Sequence, residues 1–181
     1  MWYPSVVVEP PTAEVLSIEQ VKRQSRIDGD DEDALIGDLI EEVTDHTERY
    51  CGLRLPVQTL EMRCDAFADM AVLPDGPVQS ITSIEYIAPD GIETALATDV
   101  YELRAEGLVP SIVLRYGKAW PSIQPGSRVV VTAVAGFDEL PPAIRNAMRL
   151  WVAKSFEQRE SAPDDKWSTF DTLLSNFRRF G

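Results

Sequence analysis

The chain has 181 residues, of which 44% are hydrophobic and 26% charged, so it can bury one good core or two small ones in an ordinary globular composition. Its 30 acidic side chains outnumber 17 basic ones, for a net charge of −13. That balance excludes tight nucleic-acid binding, which needs many Lys/Arg–phosphate contacts, but allows DNA to pass an acidic wall without sticking. No stretch approaches the ~20 apolar residues of a membrane span. The start, Met1 to Pro11, lacks the basic region of a signal peptide, and its prolines suggest an extended arm. Cys51 and Cys64 are too few for a disulfide framework and fit no zinc spacing, so they read as reduced core thiols of a cytosolic protein.

In chain order, the first predicted helix opens at Ser17, an N-cap with Gln20 at the third helical position, while Leu16 and Val21 are spaced for a hydrophobic staple. It ends before Asp28-Gly29. The acidic run from Asp28 to Asp33 lacks the alternating ligands and final glutamate of a calcium loop. It reads as a helix start capped by Asp30 or Asp31. A second helix is predicted from about Asp33 to Cys51, with Leu35, Leu39, Val43, Thr47 and Tyr50 forming a stripe that Ile36 and Ile40 widen. Gly52 is its stop. The opposite face is acidic. His46, the single histidine, has no Ser, Cys or second His placed beside it by a recognisable motif.

Near residue 55 the period changes from helical to alternating. Strands are predicted at Gln58–Cys64, Val78–Ile87, Ile92–Leu96, Tyr101–Arg104, Ile112–Tyr116 and Arg128–Val134, with Pro89-Asp90-Gly91 as a hairpin turn. Strands inserted between helices, rather than alternating with them, indicate an α+β fold and argue against βαβ units. The helical period returns after Phe137, with Pro142 suited to a first turn. A polar loop over 161–166 leads to a tail in which Phe170, Leu173, Leu174 and Phe177 recur at helical spacing, followed by Arg178, Arg179 and Phe180.

The expected architecture is a helical base from the N- and C-terminal helices with an inserted antiparallel β lobe, a small sandwich or barrel. The segments are 1–15 as arm, 16–54 and 138–160 as base, 55–137 as β lobe and 161–181 as tail. No phosphate loop, dinucleotide fingerprint, Cys/His cluster or nucleophile elbow is present, so the sequence motifs assign no catalytic residue, cofactor or metal.

The order of segments resembles the head–tail connector (adaptor) proteins of long-tailed bacteriophages and gene transfer agents. The likeness rests on Leu16-Ser17-Ile18-Glu19-Gln20-Val21-Lys22, the acidic start and helix from Asp31 to Gly52, Tyr116-Gly117-Lys118-Ala119-Trp120-Pro121, Ala135-Gly136-Phe137, Leu140 to Arg145, and the tail around Leu173-Leu174 with Arg178-Arg179. It implies a non-enzymatic virion protein at the head–tail interface, assembled in the bacterial cytoplasm as a ring, commonly twelvefold, beneath the portal. Such a ring extends the DNA channel and meets the next connector, stopper or tail protein. It also implies that the C-terminal segment reaches the portal. Phe170, Leu173, Leu174, Phe177 and Phe180 would then bury apolar area there, and Arg178 and Arg179 would pair with acidic groups. Packing of Leu173, Leu174 and Phe177 on the chain's own helices is the competing reading of the same residues. A small cytosolic enzyme or ligand-binding domain with its site in the β lobe is the alternative from another class.

Overall fold

A computed structural model describes residues 1–157 and 169–179. The chain divides into two compact units, one of Met1–Thr12 with Val57–Gly136 and the other of Ala13–Pro56 with Phe137–Gly181. Among the described residues the fold is α+β, with helices in the second unit and antiparallel strands in the first.

The β unit holds strands β1 (Val6–Glu9), β2 (Gln58–Cys64), β3 (Val78–Ile87), β4 (Glu93–Ala95), β5 (Tyr101–Arg104), β6 (Ser111–Leu114) and β7 (Val129–Ala135). The sheet of five runs in the order β1-β2-β7-β3-β4, every neighbour antiparallel, while β5 and β6 form a separate hairpin. β7 is central because it is the most β-branched and apolar strand. Val129, Val131, Ala133 and Ala135 are buried, and the residues between them only half so. Leu60, Met62 and Cys64 of β2 meet the same core, joined by Phe67 and Met70 from a 3₁₀ turn (Phe67–Ala71) and by Tyr101 and Ile112 from the hairpin. Phe67 stacks on Trp120 at 5.1 Å between ring centroids and meets Tyr86 edge-on at 5.4 Å. The segment expected as an extended arm is paired with the sheet, Val6–Glu9 forming its edge strand. Tyr3 N–H donates to the Arg63 carbonyl at 2.9 Å, and the Trp2 indole N–H donates to the Val72 carbonyl at 2.8 Å.

The helical unit holds α1 (Ile18–Ser25), α2 (Asp33–Cys51), α3 (Pro142–Glu157) and α4 (Thr169–Leu174). Ser17 caps α1, its Oγ accepting from the Gln20 N–H at 3.3 Å, and Leu16 and Val21 are both buried as the staple requires. Gly52 ends α2 at φ 67°, and the Leu53 N–H returns to the Glu48 carbonyl at 3.0 Å. α3 packs against α2, α1 and α4, with Ile144, Ala147, Met148 and Val152 buried.

Two local expectations are corrected. Neither Asp30 nor Asp31 caps α2. Glu32 occupies the cap position without a side-chain cap bond, because the carboxylates of Asp30 and Asp33 are taken by the Lys22 ammonium, each at 2.8 Å. The buried seam of α2 is Ile36, Val43, Thr47 and Cys51, with Leu35 and Leu39 only half-buried on its flank. Thr47 fits this seam because its hydroxyl donates to the Val43 carbonyl at 2.6 Å, leaving a methyl for packing.

Candidate docking surface

The sequence singles out the C-terminal tail, and the structure shows what its local surroundings are. Phe170 and Leu174 lie on one face of α4 and are buried, at 5% and 0% exposure. The Phe170 ring sits 5.4 Å from His46 and 6.3 Å from Tyr50. His46 and Tyr50 are one turn apart on α2, so a helix places both rings on the same side, where one aromatic from the tail can reach them. His46 is thus part of an aromatic contact with the tail.

Arg179 is buried at 7% exposure. Its backbone N–H donates to the Cys51 carbonyl at 2.9 Å and its guanidinium to the Gly52 carbonyl at 3.3 Å. These acceptors belong to the C-terminal end of α2, where helix carbonyls lack intrahelical donors and the dipole is negative. Arg178 instead stays exposed, its guanidinium carbon 5.1 Å from the Tyr50 ring centroid. Burial pushes the Cys51 thiol up to about 11, with the positive Arg178 drawing it partly back.

The tail residues therefore separate by placement. Phe170, Leu174 and Arg179 are seated in the helical unit's own core. Leu173 and Phe177 are half-buried and Arg178 is exposed, so these three keep surface to offer. Phe180 lies outside the described residues. The periodicity of the tail could not separate these groups, because the 3.6-residue repeat marks an apolar face without saying what covers it. Sequence reasoning also missed Lys22 as a buried cation and Arg179 as a helix terminator. The signal for the first was the acidic run that follows α1; for the second there was none, since Arg179 and Gly52 are far apart in the chain.

Among the described residues no group of three or more His, Cys, Asp or Glu side chains is placed to hold a metal ion. Of the acidic residues on α2, Asp38, Glu41, Glu42 and Asp45 are exposed, Asp45 pairing along the helix with Arg49 at 3.0 Å, while Asp33 and Glu48 are half-buried, Glu48 accepting from the Leu55 N–H at 2.8 Å. The surface is thus one for contact and charge, with its organised polar chemistry spent on holding helix ends.

Residues 15–90 match the family of phage gp6-like head-tail connector proteins. No curated protein sequence matches the chain. In fold it is similar to a chain from the neck of an empty GTA particle computed with C6 symmetry, with a TM-score of 0.82 at 20% identity, covering 99% of this chain and 97% of the other. A chain from the virion of a native gene transfer agent particle has a TM-score of 0.80 at 22% identity, with the same coverage. A chain from the neck of a native GTA particle computed with C12 symmetry has a TM-score of 0.72 at 21% identity, covering 96% of each. Over residues 15–90 the chain resembles the head-tail connectors in sequence, and over nearly its whole length it has the fold of chains from the necks of gene transfer agent particles.

Proposed function

We infer that this protein is a structural virion head–tail connector, one subunit of a ring that lies in the neck of a phage or gene transfer agent particle and carries the DNA channel between head and tail. The observation that carries this reading is the coincidence of a connector-family match over residues 15–90 with the fold of neck chains over 99% of the length. The chain's −13 charge suits a conduit, since phosphates slide past carboxylates that cannot bind them. The role is one of assembly rather than catalysis, and needs no cofactor. Its partners are further copies of itself, in a twelvefold ring, the portal above and the next connector, stopper or tail protein below. Such a subunit acts in the virion after synthesis in the host cytoplasm.

The portal contact falls to the outward part of the tail. Leu173 and Phe177 supply apolar area and Arg178 a cation, while Phe170 and Arg179 hold that segment on α2, and α4, with Leu174 buried, packs on α3, so that it is presented in one conformation. Deleting 170–181 would remove this anchor along with the contact, so surface substitutions are the cleaner test. Phe177→Ser with Arg178→Glu should weaken binding to the portal protein of the same particle at least tenfold by surface plasmon resonance, with the thermal melt lowered by no more than about 5 °C. Wild-type affinity in that variant would remove the tail from the portal interface. Electron microscopy of the wild-type protein mixed with that portal should show a ring on the portal's tail-facing side.

A further inference from the structure

The sheet has two edges, and they differ. At one, β1 carries Val6, Val7 and Val8 at 54%, 43% and 54% exposure, with no Lys on the strand and its one charge, Glu9, held by the Thr59 hydroxyl at 2.8 Å. A register shift at Val8 and the prolines at 10 and 11 shorten this edge without covering it. At the other edge lies β4, of which Glu93 and Ala95 are exposed, beside Ile92 at 62% exposure. Three adjacent valines open to solvent on an edge that is unpaired among the described residues are the pattern that natural sheets suppress unless a strand is to be added there.

We propose that the β1 edge of one subunit pairs with the β4 edge of the next copy of this chain, so that the sheet continues from subunit to subunit around the ring. This rests on the ring reading above. Three observations choose a second copy as the occupant. Cyclic assemblies need heterologous contacts, two different patches on each subunit, and the two edges of the sheet are such a pair. Direction agrees as well. Four successive antiparallel pairings separate β1 from β4, so the two strands run the same way within a subunit. Rotation about a ring axis running along the strands preserves that direction, giving a parallel β4–β1 pair. A β1–β1 pair would instead be isologous and close a dimer. Charge is the third. Copies of net charge −13 repel, and the apolar Val6–Val8 edge, contributing backbone hydrogen bonds and no carboxylate, is a surface on which they can meet.

The test uses full-length protein assembled on the portal of its particle and two single variants, Val7→Cys and Ala95→Cys, treated with a short bismaleimide. The native thiols do not compete, since Cys51 and Cys64 are 1% and 0% exposed. The mixture of the two variants should give a linked dimer, and each variant alone should give none. A linked product from Val7→Cys alone would mean β1 meets β1 and overturns the proposal. Rings visible by electron microscopy in a mixture that does not link also overturn it, while leaving the connector reading intact; absence of wild-type rings would bring down both. As a second readout, Val6→Lys with Val8→Lys should lower the ring fraction at least tenfold with an unchanged melt, the positions being exposed in the subunit. Normal rings in that variant would count against the shared sheet.

Discussion

Lys22 shows how one charge can do the work of a helix cap. Its ammonium joins Asp30 and Asp33 across the α1–α2 connection, holding the start of α2 from outside rather than through a carboxylate on the helix N–H groups. Hydrogen bonds to Asp30 and then Asp33 raise the lysine above its ordinary value, and the same ammonium holds the Asp30 carboxyl below its own. While its carboxylate partners are ionised, the raised lysine stabilises the fold at pH values below the ordinary lysine range, and on the alkaline side that contribution disappears only as strongly alkaline pH crosses its folded value. The lowered Asp30 acts in the opposite sense: its contribution is present above the ordinary carboxylate range and is lost as acid crosses its folded value. Stability from this pair is therefore flat across neutral pH. Lys22→Met should lower the melting temperature at pH 7 and flatten the acid side of a melting-temperature profile between pH 5 and pH 2. Some acid slope will persist, since Asp69 and Asp99 are also lowered, by the chain's amino group and by Lys118. A profile for Lys22→Met that parallels the wild type throughout would refute the role. The acidic run signalled charge at the start of α2 but left its use open, because a cap and an ion pair ask for the same residues there, and only the approach of Lys22 decides between them.

At the scale of elements, the C-terminal end of α2 is where the tail is held. Gly52 turns the chain at positive φ, and the Arg179 guanidinium and backbone N–H then take the Gly52 and Cys51 carbonyls. Arg179→Ala should cost about 1–2 kcal/mol, from a charge-assisted hydrogen bond and lost packing at a helix terminus. Urea unfolding followed by far-UV circular dichroism measures it. Arg178→Ala, removing an exposed side chain, should cost well under half as much, and equal losses would contradict the placement of the two arginines. The elements themselves were largely readable. Alternation in Gln58–Cys64 and the β-branched run of β7 needed no partner to be recognised, and Ser17 and Gly52 marked their helix ends by local chemistry. The middle of the α2 seam, Val43 and Thr47, was as read, but its ends lie one position on, at Ile36 and Cys51 rather than Leu35 and Tyr50, because an apolar stripe wider than a helix contact has no internal mark for its centre.

For the whole molecule, charge and edges set the terms of assembly. Subunits of net charge −13 that meet through apolar edges and backbone hydrogen bonds should associate better as salt screens their repulsion, the Debye length falling from about 10 Å at 0.1 M to about 3 Å at 1 M. Ring occupancy on the portal, counted in electron micrographs, should hold or rise over the range 0.1–0.5 M NaCl. A fall over that range that persists in Arg178→Ala would point to opposite-charge pairs between subunits as the main lateral contact; one that disappears in Arg178→Ala would belong to the portal contact. Sequence by itself determined the fold class, the placement of β2 to β7, the N-cap of α1 and the end of α2, since each follows from side-chain periodicity or from local chemistry that few residues supply. It also carried the resemblance to head–tail connectors in the order of its segments. Only the tertiary structure decided which tail residues are spent inside the subunit, that Met1 to Glu9 adds an edge strand, and that β1 and β4 are the two ends of one sheet. Those are facts about partners distant in the chain, and the period of a helix or strand records that a face is apolar without recording what will cover it.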